Sequence, residues 1–418
     1  MPESWESLPN LQRLRGRSHL GIKRGLENTH ALLEALGRPE LSFPSVLIAG
    51  TNGKGSVGAF LAHALRASGR TVGWTTSPHL VHETERIWID GGPIGEGALE
   101  LLLGEAFDAE QRAGIEATYF ELMITTALLA FRMTGVEVAL LEVGLGGRWD
   151  ATNAVDPILT VLTSIGLDHQ QYLGTTREAI AREKLCTARE GHPLVLGPGL
   201  DPEWIHPLLE CEPTLHPAPL LEAETLAWDH SLVEGHRVPL AGAHQIANLA
   251  TALEAMARLR DIGFPIFSER MWKGIEATHW PGRLWKVPGM ESVWMDGAHN
   301  PDGAKALASH ALRCGVWPHV MFGAMRDKDI AGVAAELLRM EPRSLAFIRG
   351  ADARYATPGQ LRGAFGAKGG DAPVLDTPSA ARRIQEHDAA HPGEPLLVTG
   401  SLYLLGDLLR ELKRDPWS

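Results

Sequence analysis

Seven consecutive residues, Gly50-Thr51-Asn52-Gly53-Lys54-Gly55-Ser56, place three glycines, a lysine and two hydroxyls between an apolar run and a helical-period one. Phosphate oxygens need several donors converging on one point. Backbone N–H groups at a helix N-terminus supply them where glycines let the chain approach closely. Lys54 adds a cation able to reach terminal phosphates. The spacing departs from a standard Walker loop: Ile48 stands where the first glycine is expected, and Gly55 separates Lys54 from Ser56. A plain glycine turn is the competing reading, and the order strand, glycines, lysine, hydroxyl favours a phosphate site.

A nucleotide site also needs Mg²⁺, whose hard oxygen ligands typically include a carboxylate at a strand end. Glu142 follows the apolar residues 138–141 and precedes Val143-Gly144-Leu145-Gly146-Gly147. A carboxylate in such a strand is costly to bury without a partner. Ser164-Ile165-Gly166-Leu167-Asp168-His169 again puts polar groups past an apolar run, where open α/β sheets bind ligands. His169 alone is more often structural, and Lys184 in Arg182-Glu183-Lys184 reads alone as a solvated helix lysine. Asp296-Gly297-Ala298-His299-Asn300-Pro301 suits ribose and phosphates equally with ordinary turn chemistry.

These groups require elements that hold them together. Apolar runs predict strands over 46–49, 71–75, 136–143, 158–165 and 194–196, with helices over 26–36, 57–65, 121–133, 177–190 and 243–259 between or beyond them. An amphipathic start includes Leu11, Leu14, Leu20 and Ile22. Residues 198–239, rich in Pro, His and Glu, read as small antiparallel strands or long loops. After Trp280-Pro281-Gly282 the alternation resumes, with strands over 293–295, 320–322, 345–348 and 396–399 and helices over 303–313 and 330–340. The expected fold is α/β: a mainly parallel phosphate-loop domain over residues 1–280, then a smaller Rossmann-like α/β domain over 281–418.

The 418 residues suit two domains, and 44% hydrophobic with 22% charged residues is ordinary for a globular chain. The formal charge of −12 argues against nucleic acid or an anionic membrane as partner. It is unevenly spread: residues 281–418 hold 17 Lys+Arg and 16 Asp+Glu, so the first 280 carry the whole deficit. Three widely spaced cysteines read as reduced thiols, and the polar, acidic amino terminus lacks signal-peptide character, so a cytoplasmic location is expected.

Taken together, these segments resemble the folylpolyglutamate synthase/dihydrofolate synthase family of Mur-ligase-like, ATP-dependent amide ligases. Besides the phosphate loop, the resemblance rests on Thr76-Ser77-Pro78-His79-Leu80 with Glu85-Arg86-Ile87, on Glu142 to Arg148 with Asp150-Ala151-Thr152-Asn153, and on Gly166-Leu167-Asp168-His169. Arg182-Glu183-Lys184, Pro281-Gly282-Arg283 and Asp296 to Pro301 complete it. It runs from about Leu20 to Leu409.

The resemblance implies ATP held by Gly50, Thr51, Asn52, Gly53, Lys54, Gly55 and Ser56, with Asn248, Arg283, Asp296 and His299 meeting the nucleotide from across an interdomain cleft. It implies Ser77, Glu142 and His169 as ligands of two Mg²⁺ ions, a carbamylated Lys184 supporting a metal, and a monovalent cation as a possible addition. Lys54, His169 and Lys184 become the catalytic candidates; Arg148 and Ser401 are candidate substrate contacts. The implied substrates are L-glutamate with dihydropteroate or a reduced folate, handled by a monomer. Val81-His82-Glu83-Thr84 departs from the apolar residues common in relatives after Ser-Pro-His. A muramyl-peptide ligase is the nearest alternative, but the 45 residues before Val46 are too few for its uridine-nucleotide domain. A phosphate-loop switch protein would favour an NKxD motif, which is absent, and a small-molecule kinase would need no amine.

Overall fold

The computed structural model describes residues 8–21 and 23–417. The expectations placed on Ile22 and on the first seven residues lie outside them. The chain forms two compact units. The first comprises the residues up to Pro78, Glu83–Leu220 and Asn248–Ile275; the second comprises His79–His82, Leu221–Ala247 and the chain from Glu276 onward.

The first unit is built on an eight-stranded sheet of β1 (Ser45–Ala49), β2 (Val72–Thr75), β3 (Ile87–Ile89), β4 (Gly92–Pro93), β5 (Val138–Glu142), β6 (Leu159–Leu162), β7 (Pro193–Leu196) and β8 (Thr214–Pro217). Their order is β4-β3-β2-β5-β1-β6-β7-β8. The pairings are parallel except for β2 with β3 and β3 with β4, which are antiparallel. β1 is buried along its full length and lies between β5 and β6, with Ile48 opposite Glu142 and Ala49 opposite Leu162. A parallel strand covered on both faces must be apolar throughout, which is why Ser45-Val46-Leu47-Ile48-Ala49 shows no alternation. The carboxyl ends of β2, β5, β1 and β6 therefore lie side by side.

Helices cover this sheet. Lys54–Ala67 starts directly from the phosphate loop. Tyr119–Thr134 is started by a capping box, in which Thr118 N–H donates to Glu121 and Glu121 N–H donates back to the Thr118 hydroxyl. Glu96–Ala113 joins Tyr119–Thr134 in one apolar cluster around Leu103, Phe107, Leu128 and Phe131.

The second unit holds two sheets. β9 (Thr225–Leu226), β10 (Ser231–Val233) and β11 (His236–Val238) form an antiparallel three-stranded sheet. β12 (Trp285–Lys286), β13 (Val293–Asp296), β14 (His319–Phe322), β15 (Ser344–Arg349), β16 (Val374–Asp376) and β17 (Leu396–Thr399) form a six-stranded sheet ordered β12-β13-β17-β14-β15-β16. All of its pairings are parallel except that of the edge strand β12 with β13. Two buried clusters, centred on Met295, Val398 and Leu405 and on Trp294, Phe322 and Phe347, cover its faces. Among the described residues no helix is long and apolar enough to cross a membrane.

Candidate active site

The phosphate loop leaves β1 at Gly50, whose φ of 147° is open only to glycine. A Cβ there would lie 1.9 Å from the Thr163 hydroxyl. Gly53, at φ 90°, caps the following helix, and a Cβ on it would come within 2.3 Å of Asn248 Oδ1. Both glycines thus allow close approaches that any side chain would block.

The loop is clamped by the residues past β6. Thr51 N–H donates to the Ser164 carbonyl at 2.9 Å, Asn52 N–H donates to the Ser164 hydroxyl at 2.9 Å, and Gly166 N–H donates to the Thr51 hydroxyl at 3.0 Å. The Thr163 and Ser164 hydroxyls both donate to the Asn52 carbonyl, at 2.7 and 2.9 Å. Thr163 and Ser164 carry no chemistry of their own. Their signal in the sequence is only that hydroxyl residues follow an apolar strand.

Two lysine side-chain nitrogens converge on one backbone oxygen. Lys54 Nζ donates to the carbonyls of Gly50 at 3.1 Å and Thr51 at 3.3 Å, and Lys184 Nζ donates to the same Gly50 carbonyl at 3.0 Å. Lys184, which looks like a surface lysine in sequence, is 5% exposed, on the inner side of the helix Arg177–Leu185. Burial, reinforced by the charge of Lys54, pushes its amine down to about 7, while Asp168 and Asp150 oppose that fall. Its side chain therefore sits near the balance between ammonium and free amine at neutral pH.

Glu142 ends β5 and is 5% exposed; its own N–H lies 3.2 Å from the Thr75 hydroxyl at the end of β2. Ser77 follows two residues later and is half-buried. His169 stands at φ 51°, with its N–H donating to the Asp168 carboxylate at 2.8 Å and its ring Nε2 4.0 Å from the other oxygen of that group. Among the described residues, no three His, Cys, Asp or Glu side chains form a ready metal cage. Mg²⁺ commonly takes one or two carboxylates and completes its shell with water and substrate phosphates. Glu142 and Ser77 carry oxygens of that hard type.

Beside this centre Asp150 organises the loop after Glu142. Its carboxylate accepts from Gly144 N–H (3.0 Å), Leu145 N–H (2.9 Å), Thr152 N–H (3.1 Å) and the Thr152 hydroxyl (2.6 Å). Burial pushes the carboxyl upward and these donors pull it back. Asp150→Ala removes the acceptor for four buried or half-buried donors. It is expected to lower unfolding free energy by about 2–4 kcal/mol, measured by urea titration; a loss under about 1 kcal/mol would show that the loop holds itself.

Arg148 is engaged by carboxylates, donating to Glu183 at 3.1 Å and to Glu210 through two nitrogens. The guanidinium thereby ties the loop after Glu142 to the helix that carries Lys184. Asn248 belongs to the first unit and lies against Gly53, whereas Arg283, Asp296 and His299 belong to the second. The expectation that all four come from one side thus needs correcting. The reason is that the helix Ala243–Asp261 begins in one unit and continues in the other.

In the second unit Asp296 is 6% exposed and accepts from Leu284 N–H at 2.7 Å and Ala298 N–H at 2.8 Å. Burial raises its carboxyl, opposed first by the charge of Arg283. The His299 ring Nδ1 lies 2.8 Å from the Gly297 carbonyl, so Nδ1 carries a proton, and Asn300 caps the helix Pro301–Cys314 through Gly303 N–H at 2.9 Å. Asp296, His299 and Asn300 each make a local turn hydrogen bond in this motif. Ser401 is 3% exposed and precedes the helix Leu402–Glu411.

Burial and the charges of His310 and Arg283 push His244 down to about 4. The unfolded imidazole, near its ordinary value of 6.5, binds more protons between pH 4 and 6.5, so stability rises with pH across that window and levels off above it. Unfolding midpoints measured from pH 7 to 4 should fall, and His244→Phe should flatten that slope; an unchanged slope would place the titrating group elsewhere.

Residues 48–186 match the Mur ligase middle domain and residues 282–402 the Mur ligase glutamate ligase domain. A dihydrofolate synthase/folylpolyglutamate synthase of Bacillus subtilis is 32% identical over 96% of this chain and 97% of its own. Among solved structures, a folylpolyglutamate synthase of Mycobacterium tuberculosis complexed with ADP aligns with a TM-score of 0.85 and 28% identity, over 97% of this chain and 100% of that one. The FolC protein of E. coli in complex with DHPP and ADP aligns with a TM-score of 0.83 and 30% identity, over 98% and 99%.

Proposed function

The chain belongs to the folylpolyglutamate synthase/dihydrofolate synthase family of Mur-type ligases, and from that membership we propose an ATP-dependent ligase that joins L-glutamate to dihydropteroate and adds γ-linked glutamates to folates. The observation that carries this reading is the convergence of Lys54 and Lys184 on the Gly50 carbonyl, beside a buried Glu142.

A carboxylate is a poor acyl donor because its leaving group would be oxide. Transfer of the γ-phosphoryl group to that carboxylate gives an acyl phosphate; attack by the glutamate amine then expels phosphate and forms the amide. Lys54 and the loop N–H groups hold the phosphates, and the Lys54 ammonium offsets part of the charge of triphosphate and carboxylate as they meet. Glu142, Ser77 and His169 are the residues that would hold Mg²⁺, which supplies charge neutralisation on the transferring group. Arg283, Asp296 and His299, with Asn248, are assigned to the nucleotide, and Ser401 to the substrate. The division of labour follows residues 1–280 for phosphoryl transfer and 281–418 for the remaining contacts.

Lys184 is assigned as the lysine that takes up CO₂. Carbamate formation needs a free amine, and an amine brought down to about 7 supplies one at neutral pH. The enzyme is assigned as a monomer, which a sedimentation measurement checks. For the ligase reading itself, phosphate release from ATP should require both a pteroyl acid and L-glutamate. Release with the acid alone would favour a kinase, and release with neither would favour a simple phosphate-loop NTPase.

A further inference from the structure

The second unit carries a solvent-open cleft of about 250 Å³ that none of the assignments above uses, Arg283 excepted. Three of its walls are tryptophans: Trp280, Trp285 and Trp294. Trp285 and Lys286 form the edge strand β12, where Lys286 sits opposite Trp294. The indoles are held from behind by other rings, Trp294 edge-on to Trp228 at 5.8 Å and Trp280 edge-on to Trp417 at 5.8 Å. Trp228 in turn stacks on His310, with planes 9° apart. Five of the twelve tryptophans in the chain thus gather around one opening.

The charges at this opening oppose those of the chain as a whole. Arg237, Arg283 and Lys286 line it against a single carboxylate, Asp229, in a protein of net charge −12. Lys286 has no hydrogen bond or ion pair among the described residues, and Arg237 reaches Asp229 only at 3.4 Å with about half of its side chain exposed. Trp285 is half-buried and offers a stacking face, with Trp280 and Trp294, each under a tenth exposed, as the rigid floor behind it; the excess cations repel a cationic guest and attract an anionic one. The volume, near the lower end for ligand pockets, suits one ring system with a short tail.

We propose that this cleft binds a planar aromatic ring bearing carboxylate or phosphate groups, at a site additional to the phosphate loop. Aryl-glutamate tails and nucleotides share that chemistry, and binding there does not require the ligase reading to hold.

Full-length protein labelled with ¹⁵N at its indoles gives a readout local to the cleft. p-Aminobenzoyl-L-glutamate and AMP are titrated separately while the Trp280, Trp285 and Trp294 signals are followed. These signals should shift with at least one probe, the tighter one identifying carboxylate or phosphate as the preferred anion. Arg237→Glu combined with Lys286→Glu should weaken that probe by roughly tenfold or more, and Lys286→Met, which keeps the stem without the charge, should give a smaller loss. Indole signals unmoved by millimolar amounts of both probes, or equal midpoints in wild type and the charge-reversed variant, would overturn the proposal. Failure of glutamate-dependent phosphate release would contradict the ligase reading and leave these titrations interpretable.

Discussion

Lys54→Ala is expected to lower kcat/KM for glutamate-dependent phosphate release by about 10³-fold or more. The side chain opens the helix Lys54–Ala67 and is held at the mouth of the loop by the Gly50 and Thr51 carbonyls. Those contacts fix the ammonium beside the loop backbone. Because the loop is clamped through Thr51, Asn52, Thr163 and Ser164, none of which changes, the thermal midpoint should move by only a few degrees. A loss of less than about tenfold would mean that Lys54 does not meet the transferring phosphate.

Lys184→Met should have the second-largest effect, with opposite signs in activity and stability. Turnover should drop by about 10²–10³-fold, the scale seen when a group supporting a metal or a developing charge is removed. The thermal midpoint should hold or rise. An amine held at about 7 against an ordinary value of 10.5 shows that the fold resists burying its charge, and methionine of similar length removes that penalty. A residue kept for structure would show the reverse, destabilised with activity intact. Depletion of CO₂ should reduce wild-type turnover, bicarbonate should restore it, and Lys184→Met should respond to neither.

The strands that build the site were legible because they are buried on both faces: 46–49, 136–143 and 158–165 read as strands from composition alone, and β1, β5 and β6 lie on them with the two longer runs trimmed at their ends. The helix Glu96–Ala113 and the helices after residue 350 were not anticipated. Their apolar residues are interrupted by many small and charged ones, so helical period and surface composition blur together. β12 was invisible because two residues make no pattern, and β8 because it lies in a Pro- and His-rich stretch.

Among the site residues, Lys54 and Glu142 could be argued from spacing and position. Lys184 could not, since nothing local marks a lysine as buried; only its placement under Gly50 does. Arg148 illustrates the converse. The resemblance offers it as a candidate substrate contact, and what the sequence does not show is that Glu183 and Glu210, 35 and 62 residues away along the chain, engage its guanidinium. Asp150 was legible as part of a motif, but its four accepted hydrogen bonds give the physical reason for its place.

The distribution of charge now has a local meaning. The first 280 residues carry the whole net negative charge, yet at the loop the Lys54 ammonium sits against the Gly50 carbonyl. Dipoles and cations fixed within a few ångströms outweigh a distant, solvent-screened net charge. A triphosphate therefore meets a positive site on an acidic surface.

The most direct test of the acyl-phosphate ligase follows the acceptor's own oxygen. Dihydropteroate labelled with ¹⁸O in its carboxylate is incubated with the enzyme, ATP, Mg²⁺ and L-glutamate, and both products are weighed by mass spectrometry. The expected result is a pteroyl product heavier by one glutamate less water, with one ¹⁸O transferred to the released phosphate. Unlabelled phosphate, or no glutamate adduct with either dihydropteroate or a reduced folate, would contradict it.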